Sequence, residues 1–123
     1  MPQRSRADVV RSYFAAFINK DRVVVENALS KDFTFTSPYD DAIDRVEYFA
    51  RCWPNSERIR DAAIERISEH GDGAFVTYKL TMDDGRSFRN TEFITFDGDQ
   101  IKAVDVYFGA TYKEGRFVAQ KPN

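Results

Sequence analysis

A single cysteine, Cys52, stands among 123 residues, so no disulfide can close within one chain and a cysteine-ligated metal site is not expected. Histidine is as scarce. His70 lies in the run His70-Gly71-Asp72-Gly73 with no second imidazole to complete a metal site, and it reads as a solvent-exposed turn residue. No apolar run approaches the roughly 18 residues that a bilayer crossing needs. The arginines of the opening MPQRSRAD have no apolar stretch of the signal-peptide kind behind them. A cytoplasmic protein with no membrane partner is the expectation. Neither sign of charge dominates, since 18 basic and 20 acidic residues are interspersed and leave a net charge of −2. No basic stripe is therefore offered to nucleic acid. Internal repeats and low-complexity tracts are missing too, and residues 120–123 read as a loose tail.

What is present fits one domain over residues 1–123, because domains commonly run to about 100–150 residues. Hydrophobic residues make up 42% and charged residues 31% of the chain, enough for a core beneath a solvated surface. Aromatics are abundant at 15%, with eleven Phe, six Tyr and one Trp. Flat side chains of this size fill cores and also line ligand cavities.

Local signals divide the chain into a helical first half and a stranded second half. Ser5 with Asp8 three residues on predicts a helix N-terminus, and Val10, Tyr13, Phe14 and Phe17 continue at helical spacing. Asp21 caps a second, short helix that runs to Leu29, and residues 33–36 alternate as a short strand that ends at Pro38. A third helix presents Val46, Phe49, Ala50 and Trp53 on one face and stops at Pro54. Four strands follow, over 59–69, 74–82, 88–96 and 101–109, with a bulge expected near Ala62-Ala63. The turns are 70–73, Asp84-Gly85 and Asp97-Gly98. Short turns make the four an antiparallel meander, and the amphipathic helices must cover one of its faces. The expected class is α+β.

Strand parity places the first functional candidates. In the strand after Gly85, Phe88, Asn90, Glu92, Ile94 and Phe96 share one face, while Arg89, Thr91, Phe93 and Thr95 share the other. Three large apolar residues mark the first face as inner. Asn90 and Glu92 then sit among aromatics, and a carboxylate buried there without a partner would be costly.

The order of elements resembles the nuclear transport factor 2-like superfamily, in particular its SnoaL-like and ketosteroid isomerase branches. The residues that carry the likeness are the helix from Val9 to Phe17, Lys20-Asp21, the run from Asp32 to Pro38, and the helix that ends at Trp53. Thr91-Glu92-Phe93-Ile94-Thr95-Phe96-Asp97-Gly98 and Val104-Asp105-Val106-Tyr107-Phe108-Gly109 complete it. The resemblance implies a cone, in which a curved antiparallel sheet wraps a cavity that three N-terminal helices close. Relatives commonly dimerise through the sheet, and they include isomerases, cyclases, hydrolases, dehydratases and catalytically silent binding domains. Taken from the isomerase branch, Tyr13 matches a helix tyrosine that donates to an oxyanion. Glu92 matches a sheet acid that does the same, one methylene longer. The branch's general base, an aspartate before a proline, falls on Ser37 before Pro38. Serine cannot take a proton unaided, so steroid isomerisation is not expected. Asp40 and Asp41 lie close enough to substitute, or else cap the third helix.

Two kinds of role stay open for the inward polar groups. Glu92, Tyr13 and Asp40 are catalytic candidates, yet Glu92 is equally readable as a structural ion-pair partner and Tyr13 as a core aromatic. Phe17, Phe35, Phe49, Trp53, Phe88, Asn90, Val104 and Phe108 are expected to line the pocket, with Tyr39 at its mouth. Asp105 has the opposite parity and should face outward. The expected ligand is a small apolar or aromatic molecule, handled by proton transfer, cyclisation or hydration with no cofactor, or simply bound. Phe93, Thr91, Thr95 and Tyr107 form an outer sheet face that suits a homodimer.

Overall fold

The computed structural model describes residues 5–119; the tail predicted at 120–123 lies outside the described residues. Helix α1, Arg6–Ile18, starts where Ser5 Oγ accepts the Asp8 amide at 3.1 Å. That bond satisfies one of the donors left over at a helix start. Val9, Val10, Tyr13 and Ala16 form its buried stripe. Asp21 caps α2, Arg22–Ala28, as the sequence predicts. Strand β1 is longer than its alternating centre, running Leu29–Ser37. A strand not foreseen, β2 at Asp40–Asp44, folds back on it.

Helix α3, Arg45–Arg51, is capped by Asp44 rather than by Asp40 or Asp41. Its predicted face is rotated. Val46 is 76% exposed and Ala50 is exposed, whereas Tyr48 and Phe49 are buried. The two aromatics together bury more apolar area than valine and alanine, and that settles which side of the helix turns inward. Pro54 stands in the first turn of a 3-10 helix, Trp53–Arg58, which leads into the meander.

The meander consists of β3 (Ile59–His70), β4 (Gly73–Met82), β5 (Ser87–Asp97) and β6 (Gln100–Phe108). A small hairpin, β7 (Tyr112–Lys113) and β8 (Arg116–Phe117), joins the start of β5, where Tyr112 pairs with Ser87. Neighbours in the meander are antiparallel, while β1 lies parallel to β6. The sheet is therefore mixed, in the order β2-β1-β6-β5-β4-β3. A parallel partner is possible because the long excursion from β1 to β6 supplies the crossover. Bulges in β3 fall at Ile59/Asp61 and Ile64/Arg66, on either side of Ala62-Ala63, which keep register with Leu80 and Lys79. Three helices cover the concave side of this curved, unclosed sheet. Phe33, Leu29, Ile94, Ile101, Val10 and Val25 are sealed between the layers, and each such side chain contributes about 1.5–3 kcal/mol by leaving water. Among the described residues no helix is long and apolar enough to cross a membrane.

Candidate functional site

A cavity of about 940 Å³ lies between the concave sheet face, α1 and α3. The inner residues of β5 form one wall: Phe88, Asn90 and Glu92, flanked by Tyr78 of β4 and Val106 of β6. Tyr13 and Phe17 enter from α1, Tyr48 from α3, and Phe35 from β1. Tyr39 and Phe108, 46% and 39% exposed with ring centroids 5.5 Å apart, stand at the mouth. Three residues expected in the wall are not in it. Phe49 and Trp53 pack against each other at 6.1 Å, and Trp53 meets the Phe17 ring edge to face at 5.1 Å. Arg22 lies over the Phe49 ring at 4.7 Å. Val104 has the inward parity but is sealed in the core. Its strand passes beneath the helices before it reaches the cavity, so parity alone could not tell core from wall.

The buried end of the cavity is polar. Glu92 is 8% exposed, and its Oε1 accepts a hydrogen bond from the Tyr78 hydroxyl at 2.7 Å. Its Oε2 is buried without a hydrogen-bond partner among the described residues. The Asn90 amide donates to the same Tyr78 oxygen at 3.3 Å and accepts the Gly109 backbone N–H at 3.2 Å. Register explains the geometry. Asn90 sits directly opposite Tyr78 on β4, which leaves Glu92 on the diagonal, within reach of a long side chain. Across the cavity the hydroxyls of Tyr13 and Tyr48 lie 2.6 Å apart.

Burial governs the titration of this cluster. Loss of water pushes the Glu92 carboxyl up from 4.5 to about 7, against the opposing pull of the Tyr78 hydrogen bond. Burial likewise drives Tyr13, Tyr48 and Tyr78 well above the ordinary phenol range, with negative charge on Glu92 adding to the rise in each. The three phenols keep their hydrogens. Of the two in the Tyr13–Tyr48 pair, one is spent between the rings and one is free to give. The end is thus rich in donors beneath aromatic walls.

The mouth carries the opposite character. Ser37 donates to Asp40 Oδ2 at 3.0 Å, and Arg51 Nη2 lies 2.8 Å from Asp40 Oδ1, an ion pair without good hydrogen-bond alignment. Asp40 thus lines the cavity beside the position where the isomerase branch would carry its base. Cys52 is also in the wall, its thiol pushed up to about 11 chiefly by burial. Asp105 faces away from the concave side as its parity predicts, paired in register with Phe93, and His70 is exposed at its turn.

Sequence reasoning overlooked Tyr48 and Tyr78 as parts of the site. Tyr78 was legible, because it shares the inner parity of Val76 and Leu80 and stands one hairpin away from Asn90. Tyr48 was hidden by the misphased third helix. The spacing Tyr48, Phe49, Cys52 carries the correct face.

The family model for the SnoaL-like domain matches residues 10–104, which span both the helical layer and most of the sheet. No curated protein matches the sequence closely. Among solved structures, the chain is similar to an NTF2-like protein of unknown function from Cytophaga hutchinsonii. The identity is 18% over 87% of this chain and 92% of that one, with a TM-score of 0.71. It is also similar to a protein described as a candidate polyketide cyclase from Sinorhizobium meliloti, at 20% identity over 81% and 94% of the two chains and a TM-score of 0.67. A de novo designed protein with a curved β-sheet superposes at a TM-score of 0.73 with 12% identity, covering 86% of each chain. At such identities the likeness establishes the fold alone.

Proposed function

This chain belongs to the SnoaL-like domain family, within the NTF2-like superfamily, and from that premise we propose that its cavity binds a compact, mostly apolar or aromatic molecule by one oxygen atom. The single observation that carries the reading is the Glu92 carboxyl, buried among aromatics with Oε2 unpartnered among the described residues. Leaving a buried polar atom unmet costs about 1–3 kcal/mol, and a ligand oxygen would recover that. Below pH 7 the carboxyl is neutral, so it can donate. A carboxylic acid kept neutral by an apolar site can donate a hydrogen bond to a developing oxyanion. The second phenolic hydrogen of the Tyr13–Tyr48 pair would be a further donor inside the same cavity.

A catalytic version of this reading has its own support in Asp40. Two donors that stabilise negative charge on an oxygen, with a carboxylate at the other end of the cavity, suit removal of a proton next to a carbonyl. Asp40 would be the base, held by Ser37 and Arg51. The steps open to such a site are proton transfer, cyclisation or hydration carried out by side chains. We propose also that the outer sheet face mediates a homodimer. Phe75 and Tyr107 are 42% and 62% exposed there, next to half-buried Phe93.

The test is calorimetry with pentafluorophenolate, a compact aromatic anion. Glu92→Gln keeps a neutral donor and should bind about as well as the native protein, whereas Glu92→Ala should lose about 1–3 kcal/mol. Native affinity should fall as pH rises through about 7, where the carboxyl becomes an anion. In Glu92→Gln that fall should vanish. Equal binding by the native protein and Glu92→Ala overturns the reading.

A further inference from the structure

We propose that Asn90 is a positioning residue: held by the Gly109 amide, it dictates through Tyr78 which oxygen of Glu92 carries the proton, and so makes the cavity select acceptor oxygens over donor groups. The inference rests on the reading above that the cavity takes an oxygen-bearing molecule.

Donor counting along the network leads to it. The backbone N–H of Gly109 can only donate, and Asn90 Oδ1 receives it at 3.2 Å. That contact turns the amide's NH₂ group toward Tyr78, whose hydroxyl oxygen it meets at 3.3 Å. The Tyr78 oxygen accepts there, its one hydrogen remains to be given, and Glu92 Oε1 takes it at 2.7 Å. Oε1 is then the carbonyl-type oxygen of the neutral acid. The acid's own hydrogen belongs on Oε2, the buried atom with no partner among the described residues. Reversing the Asn90 amide would set its NH₂ against the Gly109 N–H and direct the Tyr78 hydrogen to Oδ1. Glu92 would then donate from Oε1 to Tyr78, and Oε2 would offer lone pairs instead of a hydrogen. One backbone amide therefore separates a donor cavity from an acceptor cavity. Gly109 is also held in place, because an added Cβ would collide with the Arg89 carbonyl oxygen. The chain is pressed against β5 where the lock is made.

The experiment compares three probes of one shape by calorimetry, about one unit below the Glu92 value of about 7. Pentafluorophenolate offers an acceptor, pentafluoroaniline a donor, and hexafluorobenzene neither. The native protein should prefer the phenolate over the aniline by about tenfold or more, the worth of one satisfied buried hydrogen bond. Asn90→Leu keeps the approximate size and removes both amide contacts, so the preference should shrink to a few-fold. Asn90→Asp supplies only acceptors, draws the Tyr78 hydrogen away from Glu92, and should reverse the preference. The uncharged Leu variant separates this effect from repulsion by the new carboxylate. A cooperative urea-unfolding transition in both reports an intact fold, hexafluorobenzene supplies each variant's own baseline without a polar group, and a variant that does not fold leaves the decision to the other. If an intact variant loses affinity for both polar probes equally, so that their ratio stays native, Asn90 is structural and the proposal is overturned. Glu92→Ala distinguishes the two levels. Loss of the preference in Glu92→Ala alone removes only the role of Asn90, while a native preference in Glu92→Ala removes the underlying reading as well.

Discussion

Replacing Glu92 with glutamine removes a titration while keeping both hydrogen-bonding ends of the side chain. In the native state the carboxyl holds its proton to about 7, chiefly because burial disfavours the anion, whereas the ordinary value is 4.5. Between those limits the folded protein binds a proton that the unfolded chain has released. The stability this group contributes is therefore complete below 4.5, declines as pH climbs, and is gone above about 7. A proton held over that interval is worth about 3 kcal/mol, at about 1.4 kcal/mol per pH unit. That is a large share of the ~5–15 kcal/mol that holds a typical domain together. Urea unfolding of the native protein and Glu92→Gln, repeated from mildly acidic to mildly alkaline pH, isolates the effect, because all other titrating groups are common to both. The variant should gain on the native protein by about 2–3 kcal/mol across the window. A difference that is flat with pH would refute protonation of the buried acid. A difference that moves the other way would make Glu92 a paired anion.

Other perturbations test other levels of the structure. Phe93→Glu should convert a dimer to monomers without unfolding it, and sedimentation of the native protein as a monomer at micromolar concentration would refute the interface. Native protein should not isomerise a β,γ-unsaturated steroid ketone. Ser37→Asp, which sets a carboxylate where the isomerase branch carries its base, should create weak activity visible in the ultraviolet absorbance of the conjugated product, since a general base is worth about 10²–10⁴-fold. Phe33→Ala should cost about 3–5 kcal/mol in urea unfolding, because Phe33, on β1, is 1% exposed and packs against Tyr48 of α3. Tyr48→Phe should lower stability by about 1 kcal/mol but leave phenolate affinity within a few-fold, since Tyr13 then has its own hydrogen to give.

Elements whose signals are local were legible in the sequence. Ser5 and Asp21 announced their helices because a capping oxygen needs only the amides three residues on. The turns at Gly71, Gly85 and Gly98 were readable because each glycine holds a positive φ that side chains resist. The third helix was misphased because its facing was not a local matter. Its spacing admitted two apolar faces, and only the sheet beneath it, through Phe33 and Phe35 against the Tyr48 ring, chose between them.

The sequence by itself determined the two-layer division and the inner faces of β5 and β6, because alternation and helical spacing are properties of neighbours along the chain, whereas the two bulges of β3 break its alternation. It therefore determined that Asn90 and Glu92 would be buried. The tertiary structure decided what that burial means. Cross-strand register set Tyr78 against both Asn90 and Glu92, the close approach of Gly109 fixed the amide, and the helix layer brought Tyr13 to Tyr48. It also decided that Val104 is core while Val106, two residues on along the same face, is cavity wall. Alternation encodes direction from the backbone, whereas the partner at the end of a side chain depends on residues far along the chain. Hydrogen-bond direction and the pKa of a buried acid come from those partners, and so from the fold.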